Sequence, residues 1–244
     1  MRILMIAPEP FLETRGTPLS IYNRIKALLE MGHEVDLVTY HMGKEVIFSG
    51  LKVYRVPTLP FIRSVKIGVS WAKLPLDLLV FLTAILRLCT YRYRYIHTHE
   101  EAGTMGVILS FIFGAKHLFD MHSDLSQVAS ETKSPFLIQG INVIQKWIIK
   151  YADVVLVVFP RLKQLVMNYA PEQSVFIVEN AAVDEFLPLA DQQEIARLRQ
   201  QLQLSNMSVL LYTGTLEFYQ GIDILLHSAV QVHKVYPSAR YVIV

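Results

Sequence analysis

Seven short apolar runs, at 3–7, 35–40, 53–56, 95–99, 117–121, 154–159 and 175–178, alternate with helix-length segments whose apolar residues recur at helical spacing. Strands that read as continuous apolar runs are buried on both faces, and a helix between each pair carries the chain back to the same edge. The pattern therefore predicts an α/β fold with a mostly parallel, doubly wound sheet. The first crossover is the best punctuated. Thr17 is the expected N-cap and Pro18 the first helical residue, Leu19, Ile21, Ile25, Leu28 and Leu29 form the apolar stripe, and Gly32 ends it.

The sheet pattern stops near Asn180. A polar helix at 191–204 follows, and then a strand, a loop beginning Gly214-Thr215-Leu216, an apolar helix and the strand Tyr241-Val242-Ile243-Val244. This last stretch is one βαβ unit, so a second domain is expected to begin after a break near 185–205, with residues 1–190 as the first domain and 191–244 as the start of another. A lone βαβ unit cannot cover both faces of its strands, and the reading is that the second domain is truncated and the least stable part.

Composition narrows the function classes. Apolar residues make up 52% of the 244-residue chain and charged residues 18%, with mean hydropathy +0.35, which points to buried parallel sheet, membrane contact or both. A formal charge of +2, with no basic stripe interleaved with aromatics, argues against nucleic acid. A single cysteine, Cys89, excludes intramolecular disulfides and CxxC sites, fits a reducing cytoplasm, and reads as a buried inert thiol. The apolar start reaches Pro8-Glu9-Pro10 too early for a signal peptide. Segment 74–89 is very apolar but carries Asp77, Thr83 and Arg87 and is too short to span a bilayer. Its flanks hold Arg63, Lys66, Trp71 and Lys73 on one side and Tyr91, Arg92, Tyr93 and Arg94 on the other, which suits either an anionic membrane surface or a buried crossover helix with solvated ends.

The loop after the first strand, Pro8 to Pro18, lacks the G-x-G-x-x-G of dinucleotide-binding proteins, which disfavours a nicotinamide or flavin enzyme. It still delivers Gly16 and free N–H groups to a helix N-terminus, where a phosphate would be stabilised; a tight turn is the simpler alternative. His122 follows a predicted strand, where a doubly wound sheet presents functional groups. His97, His99, Glu100 and Glu101 gather at another strand end, in a spacing poorly suited to zinc, and lining an acceptor cleft is the preferred role for His99 and Glu100.

Six motifs occur in order: Arg15-Gly16-Thr17-Pro18, Gly32-His33-Glu34-Val35, Asp120-Met121-His122, Ala152-Asp153-Val154-Val155, Asn180 with Val183-Asp184, and Gly214-Thr215-Leu216. Together they resemble retaining glycosyltransferases of family 4, with the GT-B fold, over essentially the whole chain. The resemblance implies two Rossmann-like domains facing across a cleft, the first taking the acceptor and the second most of a nucleotide-diphosphate sugar. It implies transfer with retention, with no metal or other cofactor; a lipid-linked or surface-polysaccharide acceptor is expected, the lipid preference resting on the oily, basic-flanked segment 74–89. His122 would contact the transferred sugar, and Arg15, Gly16, Thr17, Gly214, Thr215 and Gln220 would surround the diphosphate. Peripheral contact with the inner face of the cytoplasmic membrane is expected from the same segment and its basic, aromatic flanks.

Two departures stand out. Thr215 and Gln220 occupy positions where many relatives have arginine and lysine, while Arg15 replaces a glycine and returns one cation. The spaced carboxylate pair that holds the donor in relatives has no counterpart up to Val244. The alternative reading is a catalytically inactive remnant or a binding module of the same fold.

Overall fold

Every expected run forms a strand in the computed structural model, which describes residues 1–13, 16–62, 64–65, 73–129, 134–180, 191–214, 216 and 220–244. The chain divides into two units, Met1–Ala182 and Val183–Val244.

In the first unit β1 (Arg2–Ala7), β2 (Glu34–Thr39), β3 (Leu51–Arg55), β4 (Tyr95–His99), β5 (Lys116–Met121), β6 (Val154–Val157) and β7 (Val175–Ile177) form one sheet in the order β3-β2-β1-β4-β5-β6-β7. All neighbours are parallel. The order reverses between β1 and β4, which opens a crevice at their carboxyl ends.

Helix α1 (Gly16–Glu30) packs with β2, burying Ile21, Tyr22 and Ile25. It starts at Gly16, so Thr17 lies inside the first turn rather than at the cap, and Arg15 lies outside the described residues. Its end is as expected: Gly32 adopts φ +78° and the His33 N–H closes onto the Leu28 carbonyl at 3.0 Å.

Helices α2 (Lys73–Thr90), α3 (Gly103–Phe113), α5 (Pro135–Tyr151) and α6 (Pro160–Tyr169) contact one another in sequence, α2 with α3, α3 with α5 and α5 with α6. They close two cores. Leu76, Val80, Ala84 and Leu88 of α2 meet Leu4, Ile6, Val38 and Ile96, while Ile148, Ile149, Leu162 and Val166 meet Phe119, Met121, Val155 and Val157. Helix α3 lies unusually close to the sheet. A Cβ at Gly106 would stand 2.1 Å from His117 Nε2, and one at Gly103 would stand 2.8 Å from both Ile148 Cγ2 and Phe119 Cε2. The short α4 (Leu125–Ala129) is preceded by Asp124, whose carboxylate accepts from Ser126 N at 3.0 Å and Ser126 Oγ at 2.6 Å.

Cys89 is exposed, correcting the expectation of a buried thiol: it lies one position past Leu88, off the buried stripe of α2. Part of the basic, aromatic flank after α2 is engaged within the protein, since Tyr93 is buried with its hydroxyl on Asp36 and Tyr91 lies edge-on to Tyr93. Arg63, Lys66 and Trp71 of the other flank lie outside the described residues.

In the second unit α7 (Gln192–Gln201) is capped by Asp191, which accepts from Gln193 N at 3.0 Å. Strands β8 (Ser208–Tyr212) and β9 (Ala239–Ile243) pair in parallel around α8 (Ile222–Val235). Neither α7 nor α8 has a buried residue, and Leu211, Ile224 and Val230 are exposed. No helix among the described residues is long and apolar enough to cross a membrane.

Candidate active site

Alternation along β4 puts His97 and His99 on one face of the strand, and the register aligns His99 with Asp120 of β5. Asp120 is fully buried, so it requires partners. It has several. Arg24, two turns into α1, places Nε 3.1 Å from Oδ2 and donates from Nη2 to the Val178 carbonyl at 2.6 Å. His97 Nε2 and His99 Nδ1 lie 3.4 and 3.7 Å from the same oxygen. His122 Nε2 stands 3.1 Å from Oδ1, at ion-pair distance but off the axis of a straight hydrogen bond. The rings of His97 and His99 stack at 4.7 Å, and those of His99 and His122 are 5.9 Å apart.

The charges follow from this packing. Burial opposes ionisation of Asp120, yet the histidines around it hold its carboxyl well below the ordinary range. Burial also opposes protonation of His122, but the Asp120 carboxylate overrides it and raises the pKa. His99 goes the other way: burial, reinforced by repulsion from His97, pushes it well below the usual histidine value. The cluster thus holds one ionised carboxylate, one permanent cation in Arg24, a histidine poised towards the charged form and a neutral one.

Glu100 supports the next turn. It starts a 3-10 turn (Glu100–Ala102) in the left-handed region at φ +47°, unusual for a residue with a Cβ. Its carboxylate accepts from the His122 backbone N–H at 3.1 Å and from Ser123 Oγ at 3.1 and 3.2 Å, which fixes the loop that carries His122. Burial raises its pKa to about 7. Its neighbour Glu101 pairs with Lys73 at 2.6 Å.

His99, Glu100 and His122 are therefore brought together, with Asp120 and Arg24 as their anchors. His99 is only 1% exposed and buttresses Asp120, while Glu100 and His122 lie nearer the surface. Gly16 heads α1 with no atom within 4 Å of where a Cβ would stand, and Thr17 follows it. The loop before them is pinned by Phe11, which is buried against Gly43, and by Thr39 Oγ1, which donates to the Glu9 carbonyl at 2.6 Å. In the second unit the Gly214 N–H is already used, donating to the Val244 carbonyl at 3.2 Å. Gln220 is exposed just ahead of α8, and Thr215 lies outside the described residues, as does Arg15.

Among the described residues, His97, His99 and Asp120 have ligand atoms within 4.8 Å of one another, the geometry a divalent metal could use. The Arg24 guanidinium already serves the same Asp120 oxygen, so a metal ion there would face a fixed positive charge. Arg24 had no signal in the sequence, being 96 residues from Asp120. Asp120 did: an acid inside an apolar strand has to be partnered.

The sequence matches the glycosyl transferase 4-like domain over residues 16–181, which include the whole Asp120 cluster and all but the first strand and its loop in the first unit. The chain belongs to the glycosyl transferase 4-like domain family. Solved structures similar to this family member include sucrose-phosphate synthase from Thermosynechococcus elongatus, with TM-score 0.73 and 20% identity over all of this chain and 62% of that one. Anabaena HepE, solved with UDP and glucose, gives TM-score 0.62 and 18% identity over all of this chain and 60% of that one. Both likenesses concern the fold, which is GT-B. A phosphatidylinositol N-acetylglucosaminyltransferase component from Arabidopsis thaliana is 25% identical over 257 residues, a match that covers all of the glycosyl transferase 4-like protein and 52% of the relative. The chain spans about half the length of that curated relative.

Proposed function

We propose that this chain supplies the acceptor side of a retaining glycosyltransferase that moves a sugar from a nucleoside-diphosphate donor to a lipid-linked or surface-polysaccharide acceptor, without a metal. The observation that carries the reading is His122, held at the carboxyl edge of the sheet by Asp120 from one side and by Glu100 through its backbone. With Nε2 set on Asp120, Nδ1 is the ring nitrogen left to meet a sugar hydroxyl. Charge on His122 complements a leaving diphosphate, which gains negative charge in the transition state. Gly16 and Thr17 offer N–H groups at the start of α1 for the same purpose, and Arg15 would add a cation. Gly214, Thr215 and Gln220 remain the proposed contribution of residues 191–244, with the Gly214 N–H having to exchange its present partner. A UDP-sugar is the favoured donor class, since HepE was solved with UDP. The phosphatidylinositol glycosyltransferase relative favours a lipid acceptor, and with it a site of action at the inner face of the cytoplasmic membrane, over a polysaccharide one.

Incubating the chain with UDP-N-acetylglucosamine and phosphatidylinositol vesicles, and reading the anomeric coupling of the product by proton NMR, tests this. An α-linked product is expected. A β-linked product would overturn retention, and saturable binding of donor or acceptor without turnover would favour the binding-module alternative.

A further inference from the structure

The outer surface of the helix layer α2, α3, α5 and α6 is apolar where a solvated layer would be polar. Helix α2 has two apolar stripes. Leu76, Val80, Ala84 and Leu88 face the core, and Leu74, Leu78, Leu82 and Leu86, also every fourth residue, are exposed on the opposite side. On the neighbouring α3, Ile108, Phe111 and Ile112 are exposed, Phe111 by 90%. On α5, Phe136, Val143, Trp147 and Tyr151 form a further exposed stripe, with Phe136 at 89%. Such a surface on a water-facing protein marks a docking face.

The charges of the same helices identify its partner. Helices α5 and α6 carry Lys146, Lys150, Arg161 and Lys163 and no acid, while on α2 Lys73, paired with Glu101, and Arg87, over the Tyr54 ring, lie on the core-facing side with the single acid, Asp77. That acid is taken up at 2.5 Å by the Tyr40 hydroxyl, and α3 carries no charge at all. The cations of α5 sit among aromatics: Lys146 Nζ is 4.7 Å from the Tyr169 ring centroid and Lys150 Nζ 5.6 Å from that of Tyr151. Leucine and phenylalanine between lysines, with tryptophan and tyrosine at the boundary, match the layered chemistry of an anionic bilayer surface. A protein partner would instead favour a face depleted in lysine.

We infer that the outer face of α2, α3, α5 and α6 docks on an anionic phospholipid bilayer, with Leu78, Leu82 and Phe111 entering the acyl boundary and Lys146 and Lys150 meeting the headgroups. The inference deepens the lipid-acceptor reading but its test involves no turnover, so either can fail alone.

The whole chain is floated with vesicles of phosphatidylcholine alone or with added phosphatidylglycerol. Enrichment on the anionic vesicles is expected, weakening with salt. Lys146→Glu/Lys150→Glu should lower the partition coefficient at least about tenfold, since each basic residue near an anionic surface contributes on the order of 1 kcal/mol. Leu82→Gln/Phe111→Gln, both at exposed positions and so compatible with folding, should also lower it. In a Trp71→Phe background, vesicles should shift Trp147 emission to the blue. No enrichment on anionic vesicles, or enrichment unchanged by both double variants, would overturn the inference. So would self-association in light scattering that Leu82→Gln/Phe111→Gln abolishes while vesicles recruit nothing, because the face would then belong to a second copy of the chain.

Discussion

Replacing Asp120 with asparagine separates the charge network from the shape of the site. The asparagine fills the same volume and keeps one acceptor oxygen, but it removes the carboxylate that pairs with the Arg24 guanidinium, leaving that cation the Val178 carbonyl. Arg24 is 12% exposed and Asp120 not at all, so water cannot substitute. Breaking a buried pair from one side costs about 3–5 kcal/mol, and the retained amide puts Asp120→Asn near about 3 kcal/mol and Asp120→Ala near the upper end. Since a domain holds roughly 5–15 kcal/mol in total, the asparagine variant should still fold. Urea unfolding followed by circular dichroism, fitted for two units, reads the loss. A second readout is specific to the network: the pKa of His122, followed by NMR, should fall, because burial would then act without the opposing carboxylate. The pH dependence has a definite sign. A histidine whose folded pKa is raised adds stability that is complete below its unfolded value and disappears as pH rises through the folded one. The deficit of Asp120→Asn should therefore be larger at pH 6 than at pH 8. A stability loss below about 1 kcal/mol, or an unmoved His122 titration, would refute the reasoning.

Three other outcomes follow from the same packing. His117 is fully buried against Thr98 Oγ1 at 2.7 Å and burial lowers its pKa from 6.5 to about 4, so the unfolded chain takes up a proton first as pH falls; about 3 kcal/mol of stability should be lost between pH 6.5 and 4, and His117→Gln should flatten that slope in pH-dependent urea melts. Gly106→Ala should cost about 1–3 kcal/mol in thermal unfolding, because its methyl must displace His117 Nε2 or lift α3 off the sheet. Hydrogen exchange should be fastest in α7, α8 and the β8–β9 pair, whose helices bury no residue, and slowest in β1, β4 and β5; protection of α8 equal to that of β4 would contradict this.

The sheet was legible because parallel strands announce themselves: the runs at 3–7, 95–99 and 117–121 correspond to β1, β4 and β5 within a residue. Their carboxyl edge, and so the position of His122, followed from that alone. What holds His122 did not. Arg24 reads as one more polar residue on an amphipathic helix, and its pairing with Asp120 of β5, 96 residues away, is one that no local pattern encodes. The position of His99 at a strand end is legible in the sequence, whereas its burial beside the stacked His97 and the Asp120 carboxylate depends on packing. Glu100 in a left-handed conformation has no sequence mark, since glycine or asparagine would be expected there. The outer stripes of α2 were misleading in the opposite sense: an apolar run tells that a helix is oily, not that one of its two apolar faces is left uncovered.

The central claim is that His122 touches the sugar being transferred. Its most direct measurement is kcat/KM for sugar transfer by the wild-type chain and by His122→Ala, with circular dichroism confirming that both are folded. The account predicts a fall of at least about a hundredfold, the scale of a lost charge-stabilising donor. Equal kcat/KM for the two proteins would contradict it.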